Sequence, residues 1–196
     1  MDVQRSRPTR LAYRIDDQDR IHDVDEGWRD SSGRLGTADV LGRPLWDFVR
    51  DPTVVAIYRQ MIRHAREGHP VRFSYRCDAP EARRLYRMVI HKDAAGLIEF
   101  ATDLIREEKR SAVPLLVRAP GPRSRDFVRV CSWCERAQLP DGAWVAIEAA
   151  VEALGVMETT ALPQLTHGIC PRCADRVRRG LERDRARARA PGRAQG

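Results

Sequence analysis

Val71-Arg72-Phe73-Ser74-Tyr75-Arg76-Cys77-Asp78 alternates apolar and polar side chains without a break. Successive side chains of an extended strand point to opposite faces, so Val71, Phe73, Tyr75 and Cys77 share a buried face while their neighbours meet water. The same period of two returns in Tyr86, Met88 and Ile90, and again in Ile98, Phe100 and Leu104. Asp93 to Gly96 supplies the turn between those last two strands.

Upstream the period changes. Asp51 is a good helix N-cap, and Pro52 fits the first helical position, where its missing N–H costs nothing. Val54, Tyr58, Met61 and Ala65 recur at three- and four-residue spacing, and Gly68 is the expected stop. Further back, Leu11 to Ile15 and Arg20 to Val24 flank the polar turn Asp16-Asp17-Gln18-Asp19, which predicts a hairpin. The expectation is an α+β fold: a five-stranded antiparallel sheet with helices inserted after the second strand.

That order of elements, spread over about residues 10–108, resembles the PAS-domain family. The local text agrees in Tyr13-Arg14-Ile15-Asp16, in Asp25-Glu26-Gly27-Trp28, and in Leu41-Gly42-Arg43-Pro44-Leu45-Trp46-Asp47-Phe48. The resemblance implies sensing or homodimerisation through the sheet and its helical flank, with a ligand sometimes held between them. Which ligand, if any, is unknown. Haem-binding members use a helical His, and His64 lies three residues after Met61; a lone His beside a core face is more often packing. The Asn-Cys-Arg-Phe type of helix motif needed for flavin photochemistry is missing, and Cys77, on an inward strand face, reads as a small hydrophobe. No catalytic constellation is legible in this half.

Residues 109–126 contain Pro114, Pro120, Gly121 and Pro122, and read as a linker between a sensory domain at 8–108 and a cysteine module at 127–180. Cys131-Ser132-Trp133-Cys134 and Cys170-Pro171-Arg172-Cys173 are two C-x-x-C pairs. A two-residue gap lets one turn aim two thiolates at one ion, and two such turns complete a tetrahedron. Zinc suits four thiolates, and a small module gains from a metal that ties its ends together. The intervening 35 residues exceed the usual zinc-ribbon gap of about 15–20, so a folded insert is expected. A helix capped by Asp141, with Trp144, Ile147, Val151 and Leu154 on one face before Gly155, would fill it. The module is therefore expected to be helical and zinc-stabilised, with Cys131, Cys134, Cys170 and Cys173 as ligands. His167, three residues before Cys170, could replace one thiolate or stand behind it. Disulfides, redox dithiols and an iron–sulfur cluster are the competing readings of the same cysteines.

This half is similar to the cysteine-rich tail of some bacterial PAS-containing signalling proteins, which has the form Cys-Ser-x-Cys, a Trp-bearing helix, then His-Gly-Ile-Cys-Pro-x-Cys. Cys131 to Cys134, Trp144, and His167 through Cys173 match it over roughly 128–177.

The 196 residues leave no room for a kinase, a barrel or a dinucleotide fold with a substrate domain, and no phosphate-loop, zincin or nucleophile-elbow motif is present. A chain with 35 Lys+Arg and 28 Asp+Glu carries +7. Residues 174–196 supply +5 of it, from eight Arg against Asp175, Glu182 and Asp184. The body is near neutral, and from about 181 the Arg-Ala stretch reads as a disordered tail. The expectation is a non-enzymatic, cytoplasmic signal-sensing or regulatory protein that acts on a protein partner, with no membrane span. A nucleic-acid-binding regulator using the zinc module and Arg176, Arg178, Arg179 and Arg183, or a zinc-thiolate redox switch, are the alternatives.

Overall fold

The computed structural model describes every residue except 1–9, 32–36, 118–122, 160 and 190–196. Two compact units emerge, one from Met1–Phe73, Met88–Asp103 and Asp175–Gly196, the other from Ser74–Arg87 and Leu104–Ala174. Among the described residues, no helix is long and apolar enough to cross a membrane.

Strands β1 (Arg10–Ile15) and β2 (Ile21–Val24) form the expected hairpin, with Tyr13 opposite Val24 and Arg14 opposite Asp23. The short helices α1 (Glu26–Ser31) and α2 (Thr37–Val40) follow. Helix α3 (Pro52–Arg66) starts where the sequence reading puts it: the Asp51 carboxylate accepts hydrogen bonds from the Thr53 and Val54 N–H groups, both at 3.0 Å, and Pro52 occupies the first turn. After it, Gly68 adopts φ +86°, a left-handed conformation that costs a glycine little. Strands β3 (Val71–Arg76), β4 (Ala82–Lys92) and β5 (Ile98–Lys109) complete an antiparallel sheet of order β2-β1-β5-β4-β3.

In the first unit, Val54, Ile57, Met61 and Ala65 of α3 are buried together with Ile15, Ile90, Ile98 and Phe100 of the sheet. Phe100 stacks on Tyr13 at 4.6 Å and on Tyr58 at 6.2 Å. His64 is buried with its ring 5.0 Å from that of His69. Cys77 departs from expectation: it lies one residue beyond β3 and is exposed.

In the second unit the expected helical module is instead built on a sheet. Strands β6 (Phe127–Cys131), β7 (Arg136–Gln138), β8 (Trp144–Ala146) and β9 (Gln164–Gly168) pair in the order β8-β7-β6-β9, and β6 runs parallel to β9. Helix α4 (Ile147–Ala153) is only the second half of the helix expected from Asp141. The Asp141 carboxylate accepts from the Ala143 N–H at 2.9 Å inside a hairpin turn, Gly142 takes φ +89°, and Trp144 is a strand residue opposite Gln138.

The stretch read as a linker is partly packed. Pro114–Leu116 forms a 3-10 turn, and Val113 and Leu115 are buried with Val128, Val130, Ala137, Ile147 and Ala150. Its Pro120, Gly121 and Pro122 lie outside the described residues. Helix α5 (Pro171–Arg189) extends well into the segment expected to be disordered from 181. Ala and Arg are among the best helix formers, and Leu181 is buried. The end of that segment, from 190, lies outside the described residues.

Candidate metal centre

All four cysteines of the two C-x-x-C pairs belong to the second unit, and their Sγ atoms lie within 4.8 Å of one another. The fold explains the convergence. Parallel pairing sets Cys131, the last residue of β6, opposite Gly168, the last residue of β9. Just past those ends the chain makes two turns. In one, the Glu135 N–H donates to the Cys131 carbonyl at 2.9 Å, which folds Ser132-Trp133 back and brings Cys134 toward Cys131. In the other, α5 begins at Pro171, and the Cys173 and Ala174 N–H groups both donate to the Cys170 carbonyl at 3.0 Å. The Ser132 N–H donates to the Gly168 carbonyl at 2.9 Å and ties the two turns together.

Cys131, Cys170 and Cys173 are buried, and Cys134 is partly exposed. No pair is joined as a disulfide: the Cys134 and Cys170 sulfurs stand 3.8 Å apart, against about 2.05 Å in a disulfide. The Cys131 Sγ accepts hydrogen bonds from two backbone donors, the Trp133 N–H at 3.4 Å and the Cys170 N–H at 3.3 Å. A hydrogen bond from the Cys134 thiol, together with these N–H groups, holds Cys131 at about 5, well below an ordinary thiol. Cys134 is pushed up because its thiol proton is held in that bond and it is buried. Burial and the Cys131 thiolate push Cys173 up to about 11. A bound cation would favour the thiolate form of each cysteine that faces it. The arrangement could hold a metal ion.

His167 is placed differently. It is exposed on β9, and it does not belong to the group of side chains whose ligand atoms converge.

Gly168 has a function the sequence reading missed. A Cβ there would fall 2.2 Å from Nε of Arg129, so the bare backbone lets the Arg129 side chain lie across the end of β9. The Gly in His167-Gly168-Ile169-Cys170 was the available signal.

Behind the first cysteine turn lies a buried carboxylate cluster with no sequence signal at all. Glu135 takes φ +57° and is buried. Burial, with the Asp78 carboxylate nearby, pushes its carboxyl up to about 8. The Asp78 side chain is wholly buried and pairs with Arg76 and with Arg110, the latter at 3.1 Å. Arg110 also reaches Glu148 at 2.9 Å, and Arg83 meets the same Glu148 at 2.7 Å. Burial by itself would raise the Glu148 carboxyl, but hydrogen bonds from Arg83, its own backbone N–H and Arg110 bring it down to about 2. The Arg76 N–H donates to the Trp133 carbonyl at 3.1 Å, which anchors the cysteine turn to the network.

No protein-family model and no curated protein matches this chain.

Proposed function

We propose that the chain is a non-enzymatic regulatory protein in which a PAS-like domain is joined to a module closed by one structural zinc ion. The observation that carries the metal half is the 3.8 Å separation of the Cys134 and Cys170 sulfurs inside a four-thiol group. A tetrahedral ion bonded to sulfur at about 2.3 Å requires S···S edges of about 3.8 Å. Zinc has no geometric preference of its own and accepts four thiolates. With all four positions taken by cysteine, no site is left for a catalytic water.

The regulatory half rests on the order of elements: two strands, short helices, one longer helix and three long strands, the order on which the PAS resemblance was founded. A PAS-like domain joined to a small cysteine module fits a role in docking a protein partner in the cytoplasm.

Metal analysis of the anaerobically purified chain tests the zinc assignment. About one zinc per chain is expected, since two C-x-x-C turns supply one tetrahedral shell. Cys131→Ser, Cys134→Ser, Cys170→Ser and Cys173→Ser should each lose it, while Cys77→Ser and His167→Ala should keep it. A metal-free chain with a folded second unit would overturn the assignment. Turnover that tracks the purified chain and vanishes with one named side chain would overturn the non-enzymatic reading.

A further inference from the structure

The second unit's sheet has two unlike faces. Val128, Val130 and Ala137 are buried in the core with α4, and Val145 and Leu165 pack against that core. Side chains alternate along each strand, so the opposite face carries Phe127 and Arg129 of β6, Arg136 and Gln138 of β7, Trp144 of β8 and Thr166 of β9. All six are exposed or partly exposed, and Phe127 is 65% exposed. Among the described residues it is one of four large hydrophobic side chains left exposed, and the one aromatic among them.

Charge on this face has one sign. The four strands contain two arginines and neither Asp nor Glu. Arg136 is exposed, and its guanidinium donates to the Trp144 backbone carbonyl at 3.2 Å. Phe127 also borders a cleft of about 500 Å³ whose lining includes Gln138, Leu139, Pro140, Leu154 and Val156. Asp126 also lines the cleft, where its carboxylate accepts from the Ser124 hydroxyl at 3.1 Å.

An exposed ring, a forked cation and amide or hydroxyl edges on strands that carry no Asp or Glu match the parts of an unpaired nucleotide strand: base faces, phosphates and base edges. A duplex hides its base faces and would leave Phe127 unused. An acidic peptide would meet Arg136, but one made of Asp and Glu offers no aromatic face for Phe127 to stack on. From this juxtaposition we infer that the outer face of β6-β7-β8-β9, with the cleft that Phe127 borders, binds single-stranded nucleic acid. Phe127 stacks on a base, and Arg136 meets phosphate. The inference goes beyond the proposed function and uses the thiol cluster only as the closure of β6 on β9.

The test is fluorescence anisotropy of the full chain with a labelled 12-nucleotide RNA, the same sequence as DNA, each as a duplex, and a polyglutamate peptide of matching charge, with zinc content measured on every sample. Single strands should bind more tightly than duplex or peptide, and the RNA and DNA arms show which sugar is preferred. Phe127→Ala should weaken single-strand binding roughly 5- to 100-fold. Phe127→Leu, which keeps the bulk, should also weaken it, and Phe127→Tyr, which keeps the ring, should not. Arg136→Gln should reduce the salt slope by about 0.7. Unchanged binding in Phe127→Leu and Arg136→Gln overturns the inference, as does peptide or duplex binding as tight as single strand. A parent chain that holds zinc and binds no oligonucleotide overturns it while sparing the metal assignment. Oligonucleotide binding by a zinc-free chain does the reverse.

Discussion

The two sheets are packed on very different cores. Strands of the first reach 11 and 12 residues in β4 and β5, and its buried side chains include Ile15, Ile57, Met61, Ile90, Ile98 and Phe100. Each such side chain contributes about 1.5–3 kcal/mol by leaving water. Strands of the second are three to five residues long, and its core is largely Val and Ala, with Leu115 and Ile147 its bulkiest wholly buried members. Smaller side chains remove less apolar surface from water, and a core of this size commonly needs a covalent or metal staple. Four thiols sit where such a staple would close β6 on β9. The difference teaches that one stretch of chain can be ordered by burial alone, while another with a smaller core carries, at the ends of its strands, a thiol group that could hold a metal.

The largest effect should come from removing the metal. A strong chelator under reducing conditions, with amide hydrogen exchange read by segment, should strip protection from residues 127–131 and 164–168. Residues 10–15 and 98–102 should keep most of theirs, because their pairing depends on the buried aliphatic and aromatic core rather than on thiolates. Equal loss in both sets would break the comparison, and no loss in either would show that the short strands hold without a metal.

The converse substitution should be smaller and of opposite pattern. Met61 is fully buried in α3. Met61→Ala should lower stability by about 2–5 kcal/mol, measured by urea denaturation. Zinc stoichiometry should not change, since Met61 and the four cysteines belong to different units. A fall in bound zinc parallel to the fall in stability would mean that burial and metal binding are not separable in this chain.

How much of this was legible follows from segment length. Six or more residues of alternation, as in Val71 to Arg76 and along β4 and β5, announce both strand and face. The Asp51-Pro52 cap announces the start of α3 just as directly. Three residues announce nothing: Arg136–Gln138 and Trp144–Ala146 are too short to show a period of two, and the Ala-rich run after them reads as one helix from Asp141. Gly142 with φ +89° and pairing with β7 override that local preference. The cysteines were legible from spacing alone, because ligand geometry is local to each turn. Their cross-chain meeting depends on the parallel pairing of β6 with β9, which spacing does not encode. Asp78, Arg110, Glu135 and Glu148 were illegible because charged residues scattered over 71 positions carry no signal until the fold gathers them.

The smallest effect sharpens the comparison from the first sheet's side. Tyr58 lies against Phe100, and burial pushes its hydroxyl pKa up to about 12. In the unfolded chain the group titrates near 10. Between those values the folded state binds more protons than the unfolded one, so stability falls as pH rises. The contribution is fully present below about pH 10 and is lost as pH climbs through about 12. Tyr58→Phe removes the titrating hydroxyl and leaves the ring, so its stability should decline less steeply between pH 10 and 12 than that of the parent chain. Urea midpoints measured across that range give both slopes. Equal slopes would mean that Tyr58 ionises as freely in the folded state as in the unfolded one, and that the interior around Phe100 is wetter than its burial implies.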